Sequence, residues 1–276
     1  MTASPRSGAP FTLEATRRLP PEEIAALLPG NPIDHAFALY DQERYPDRVR
    51  FQLLREGPRL VAYLLLWLGD PAVPEVHWSG AAVASDLLAD ALPPRPFVLN
   101  APPEVEPLVQ RHRGPVRTYP LEVLVRPSHH PLPPPDPGVR VREVGPEERE
   151  ALRALPAWTS NLPPEALVGP ASPGGPRLVG AFLPGPRVAP VAVARTLVEL
   201  PGLWVLGGIF TDPGHRGRGF GRAATQSLIA SAQRVGADSA LYVRADNAPA
   251  RSLYSRLGFR RHHSLLWMDA GSGQTP

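Results

Sequence analysis

The chain of 276 residues has no cysteine. Disulfides, thiolate nucleophiles and cysteine-ligated zinc or iron–sulfur sites are therefore excluded. It has no lysine either, so all 29 residues counted as Lys and Arg are arginine. That excludes a Schiff-base lysine, a pyridoxal phosphate anchor and a P-loop lysine. Long apolar runs are also missing. The most apolar stretch, LVAYLLLWLG at Leu60–Gly69, is too short to span a bilayer and reads as a buried strand. The opening MTASPRSGAPFTLEATRRL has no apolar stretch behind a basic end, so a secretory signal is not expected. The expectation is a soluble cytoplasmic protein that does not engage a membrane. Although the pI is near 9.7, the net charge is only +3. The arginines are interleaved with 26 acids and form no basic run, so nucleic-acid binding is not expected.

Proline is abundant, with 38 residues, and argues for many short, punctuated elements. A 43% hydrophobic content supplies a core, and the length suits one large domain or two small ones. The Pro-rich segment RPSHHPLPPPDPGVR (Arg126–Arg140) is the clearest boundary, an extended and stiff connector. It divides the chain into an N-terminal domain at 1–128, a linker at 129–138, a second domain at 139–270 and a disordered tail at 271–276.

The two halves read as copies. Gly57–Gly80 and Gly185–Gly208 both begin Gly-Pro-Arg, continue as an apolar strand, break, and resume as a Trp-containing strand. They match without a gap at an offset of 128. Further on, PLVQRHRG (107–114) resembles SLYSRLGF (252–259), which sets Val109 against Tyr254. The second half predicts, in order, a strand over 139–144 and a helix over 146–155. The hairpin of RLVGAFL and RVAPVAVARTLV follows, then a strand over 203–211 with a bulge at Gly207-Gly208. A helix over 219–235, a strand over 239–245, a short helix over 248–259 and a strand over 263–268 complete it. The first half predicts a similar string: helix 21–28, a hairpin, helix 84–91, strand PFVLN, helix 104–111 and strand PLEVLVR. A mixed α/β fold is implied.

The chemistry concentrates in HRGRGFGRAA (His215–Ala224), which lies between a strand and a helix. The first turn of a helix leaves about four N–H groups without partners, and the helix dipole favours an anion there. Gly217, Gly219 and Gly221 let a phosphate approach closely. Arg216, Arg218 and Arg222 add charge and bidentate donors. The spacing is not a dinucleotide fingerprint, and taken alone the loop also suits a solvated basic turn.

Two motifs together go further. GGIFTDPGHRGRGFGRAATQSLI resembles the coenzyme A loop of the GNAT N-acyltransferases, with Pro213 ahead of Arg216-Gly217-Arg218-Gly219-Phe220-Gly221. Then DNAPARSLYSRLGF resembles that family's later segment through Asn247, Ala250, Leu253, Tyr254, Gly258 and Phe259. The resemblance covers roughly 139–269, and the first half only by architecture. A preceding half-length domain further resembles the glycine N-acyltransferase-like branch. The resemblance implies a tandem GNAT-like α/β fold whose N-terminal copy is degenerate.

The same resemblance implies that the fourth and fifth strands splay and that acetyl-CoA enters the gap. Backbone groups of Ile209 and Thr211 would pair with its pantetheine arm, with Phe210 between them also among the cofactor-binding residues. The amides of 217–222 would hold the pyrophosphate, with Asn247 near the pantetheine. A bulge N–H would stabilise the thioester oxyanion. Tyr254 takes the family position of the acid that protonates the leaving thiolate. The expected reaction is direct attack by a primary amine, of a small molecule or an amino acid, in a ternary complex without metal.

The general base stays open among Glu199, Asp212, His215, His262, His263 and a water chain to solvent. Glu199 is the residue assigned to the site. Asp34, His35 and Glu43 are candidates to recognise the amine, although an ordinary surface helix explains them as well. Trp158 suits either the acceptor cleft or packing. A non-catalytic acyl-CoA sensor is the rival function, and either a monomer or a homodimer suits the sequence.

Overall fold

The structure, a computed structural model, describes residues 11–27, 32–70, 72–80, 85–155, 176–185 and 189–276. In chain order its strands are β1 (Phe11–Thr16), β2 (Val49–Glu56), β3 (Arg59–Trp67), β4 (Glu75–Gly80), β5 (Phe97–Ala101), β6 (Arg117–Arg126), β7 (Arg140–Glu143), β8 (Leu178–Phe182), β9 (Ala192–Leu200), β10 (Leu203–Thr211), β11 (Asp238–Arg244) and β12 (Arg260–Ala270). Its α-helices are α1 (Pro21–Leu27), α2 (Ala36–Arg44), α3 (Ser85–Asp90), α4 (Glu106–Arg113), α5 (Pro146–Arg153), α6 (Phe220–Arg234) and α7 (Ala248–Arg256). No helix among the described residues is long and apolar enough to cross a membrane.

The chain divides into two units. The first takes 1–122, 244–246 and 263–276; the second takes 123–243 and 247–262. The last strand thus joins the first unit from His263 on, where the sequence reading placed 139–270 together. The expected disordered tail is also held at its start. Ser272 and Gly273 donate their N–H groups to the buried Asp269 carboxylate at 2.6 and 3.1 Å.

In the first unit the strands run β1-β2-β3-β4-β5-β12, antiparallel except for the parallel β4–β5 pair. Alternation along β3 sends Leu64 to a core with Val76, Leu99, Met268, Leu88 and Val109, the last two from α3 and α4. Tyr63 and Leu65 go to the other core, with Ile24 of α1, Ala38 of α2 and Phe51. α2 departs from the ordinary surface helix that the sequence suggests. His35, Asp41 and Gln42 around it are 2%, 8% and 5% exposed. Gln42 accepts the Leu19 N–H at 2.9 Å, and His35 Nδ1 lies 2.7 Å from the Tyr63 hydroxyl.

In the second unit the order is β11-β10-β9-β8-β7, with only β10–β11 parallel. Ala192 and Ala194 of β9 share a core with Leu228 and Ile229 of α6, while Val193 between them joins Leu152 of α5. The Pro-rich segment does not hang free. Gln226 and Gln233 of α6 donate to the carbonyls of Pro133 and Ser128, and Leu132 packs on the α6 core.

The ungapped match of the halves holds for one strand and fails for its neighbour. Glu75 and Leu203, 128 positions apart, each open the parallel pairing, with Val98 and Asp238. Their antiparallel partners, Trp67 and Leu200, are 133 apart. The cause is the connection, which spans 68–74 in the first unit and only 201–202 in the second.

Candidate functional site

β10 carries the first feature. Trp204 and Leu206 point to the core under α6, but Phe210 points to the core under α5 with Val193. Residues an even number apart share a face in a regular strand, so a bulge must intervene. The register with β9 shifts between Gly207 and Phe210, where Gly208 has φ +53°. The expected bulge at Gly207-Gly208 is therefore present. β10 pairs with β11 only through Leu203–Leu206 against Asp238–Leu241. On the other side Phe210 and Thr211 remain in register with Val193 and Ala192 of β9. The register between β10 and β11 does not continue past Leu206 and Leu241.

The Gly/Arg loop follows directly. The Asp212 N–H donates to Val191 O at 2.9 Å. Its Oδ1 accepts the Gly214 N–H at 2.9 Å and lies 3.0 Å from His215 Nδ1. The His215 ring meets Phe220 edge-on at 6.2 Å between centroids, and Phe220 is buried in the α6 core. This chain of contacts ties the loop to the core through side chains. Arg216 Nε donates to Thr211 O at 3.2 Å.

Gly219 is the N-cap of α6, with the left-handed φ of +83° that a side chain disfavours. Gly221 abuts Thr211, where an added Cβ would come within 2.7 Å of Oγ1. The first hydrogen bond of α6 runs from the Ala223 N–H to Gly219 O at 2.9 Å. The N–H groups of Phe220, Gly221 and Arg222 precede it and are the unpaired donors of a helix start. Gly217 and the Arg216 and Arg218 side chains are exposed, and Arg222 is half-buried. Arg222 lies 3.8 Å from Asp136. The loop therefore concentrates amides and guanidinium groups at one helix end.

Tyr254 lies on α7. It is buried in the same core cluster as Leu206 and Phe220, with Ile209 packed against that cluster. Its ring meets Phe259 edge-on at 5.9 Å. Burial pushes its phenol up to about 12, so the hydroxyl keeps its proton at neutral pH. Asn247 Oδ1 accepts the Ala250 N–H at 3.2 Å and caps α7. The other end of α7 is held by Arg126, which is fully buried. Its Nε donates to Leu257 O at 2.8 Å, and the remainder of its guanidinium reaches the carbonyls of Pro127 and His130. Sequence reading took Arg126 only as the start of a connector. The brace at Asp212 was also missed, although Asp before a Pro at the first helical position is a readable cap.

Other candidates lie elsewhere. Glu199 stands opposite Trp204, about 13 Å along β10 from Gly208 at ~3.3 Å per residue. Its carboxylate accepts from Thr196 Oγ1 at 2.7 Å and pairs with Arg177 Nε at 3.2 Å. The side chain thereby ties β9 to the residue that precedes β8. Glu43 pairs with Arg18 at the surface at 2.8 Å. Asp34 Oδ1 lies 2.9 Å from His263 Nε2 within the first unit, and His262 is exposed. Burial lowers the pKa of His35. Val109 occupies α4, the helix after β5, as Tyr254 occupies the helix after β11. Trp158 lies outside the described residues.

Residues 186–268, which span β9 to most of β12, match the family described as FR47-like protein. No curated protein matches the chain by sequence. Among solved structures, a GCN5-related N-acetyltransferase from Sphaerobacter thermophilus is similar with a TM-score of 0.60 at 16% identity, over 97% of this chain and 99% of that one. One from Kribbella flavida has a TM-score of 0.55 at 23% identity, over 76% of this chain and 87% of that one. A tandem GNAT protein from the clavulanic acid biosynthesis pathway has a TM-score of 0.53 at 14% identity, over 82% of this chain and 84% of that one. The mixed α/β chain is thus built on the fold of the GCN5-related N-acetyltransferases.

Proposed function

We propose that the chain is an acetyl-CoA-dependent N-acetyltransferase acting on the primary amine of a small molecule or an amino acid. The observation that carries this reading is the release of β10 from β11 after Leu206, immediately before the Gly/Arg loop. A strand that has left the register of its neighbour is the natural partner for the amide groups of a pantetheine arm. The loop's donors fit a diphosphate: the amides over 217–222, with Arg216, Arg218 and Arg222 around them. In this reading Ile209, Phe210 and Thr211 align the arm, and Asn247 lies beside it. A bulge N–H receives the charge that develops on the thioester oxygen.

The neutral amine nitrogen attacks the acetyl carbon, and the carbon–sulfur bond breaks. The Tyr254 hydroxyl gives its proton to the departing thiolate. The proton lost by the amine leaves through water, which removes any need for Glu199. The first unit is a degenerate GNAT-like copy: it has Val109 where the second unit has Tyr254, and no Gly/Arg loop in its sequence.

The test is thiol release from acetyl-CoA across a panel of amines, with product masses. Amine-dependent release and a mass gain of one acetyl group are expected. Tyr254→Phe should lower kcat by about 10²–10⁴-fold, the usual worth of a positioned acid, with acetyl-CoA binding retained. Binding without release for any amine would instead favour the sensor reading.

A further inference from the structure

We infer that two copies of this chain associate through β1, by antiparallel pairing of β1 with β1 centred on Leu13. Among the described residues β1 is the terminal strand of its unit and pairs only with β2, in unbroken register from Phe11 to Thr16. Its outer edge therefore offers a straight row of backbone donors and acceptors, a template for another strand. The strand contains no proline, no bulge and no basic residue, and its single charge is Glu14. Phe11 and Leu13 are also 43% and 41% exposed, apolar side chains on one face of that edge.

The pattern selects a second copy as the occupant. Centred on Leu13, Phe11 faces Ala15 and Thr12 faces Glu14 in both halves of the pair. Apolar positions then meet apolar ones, and the two Glu14 carboxylates do not oppose each other. Glu14 is already paired with Arg55 at 3.1 Å, so no uncompensated acid enters the junction. Within β1 this pairing matches the five residues from Phe11 to Ala15, and Arg17 and Arg18 follow the strand. The contact is isologous and closes after two copies, since each β1 edge is used once.

The absence of native cysteine makes a direct test clean. Sedimentation equilibrium of the full chain should show a concentration-dependent dimer. Leu13→Lys should be monomeric at every concentration while its thermal unfolding stays that of the parent. Under mild oxidation Leu13→Cys should give a disulfide-linked dimer, whereas Ala15→Cys, whose counterpart is Phe11, should not. A parent chain that stays monomeric, as it would if β1 served a different protein, overturns the inference. So does a dimer that survives Leu13→Lys, or an Ala15→Cys chain that links as readily as Leu13→Cys.

Discussion

Gly221 and Thr211 are in contact across the start of α6, and a Cβ on Gly221 would come within 2.7 Å of Thr211 Oγ1. The helix that opens the anion loop is thereby held close to the end of β10. Gly221→Ala forces that contact open, and overpacking of this kind costs about 1–3 kcal/mol. Thr211→Ala removes the clashing atom. The double variant should therefore recover most of the stability lost in Gly221→Ala. Thermal unfolding of the four chains, read as a double-mutant cycle, checks this.

Asp212 acts on the loop through His215 and Gly214. Asp212→Ala should raise the KM for acetyl-CoA about tenfold and leave kcat nearly unchanged, because no reacting atom is touched. Asp212→Asn keeps an acceptor for the Gly214 N–H and should recover part of the loss. Steady-state kinetics with acetyl-CoA varied at saturating amine separate the two parameters.

Asp41 makes stability depend on pH. Burial raises its carboxyl to about 7, with Glu75 adding to the shift and His77 opposing it. An unfolded Asp titrates near 3.9. The folded state therefore binds the proton more tightly than the unfolded one. This contribution is fully present below about pH 4 and is lost as pH rises through about 7. The difference is on the order of 3–4 kcal/mol for the first unit. Chemical denaturation at pH 5 and pH 8 should show about 2–3 kcal/mol of that fall, the rest lying below pH 5, and Asp41→Asn should flatten it.

Much of this fold was legible because it is written in local signals. The period of α6, the Gly pair in β10, the Pro and acids that open α5 and the Asn that caps α7 each act within a few residues. What escaped depends on distant partners. β1, with alternating FTLEAT and no buried face, becomes a strand only by pairing with β2. The polar residues of α2 read as surface because burial of Asp41 and His35 is decided by β3 and β4. The last strand directly follows the helix of Tyr254 in sequence, yet from His263 on it counts with the first unit. At the site, glycine and arginine positions were readable from spacing. For Glu199, neither its distance from the bulge nor Arg177 beside it is visible in order alone.

The central claim is that the amides opening α6 grip the diphosphate of a coenzyme A. The most direct measurement follows backbone amide resonances during titration with coenzyme A, alongside affinities for coenzyme A and for pantetheine, which lacks the diphosphate. The largest shifts should fall on Gly217, Gly219, Gly221 and Arg222. Pantetheine should bind about 100-fold more weakly, the loss of two charge-assisted hydrogen bonds at ~1.5 kcal/mol each. Shifts centred elsewhere, or equal affinity for the two ligands, would contradict the account.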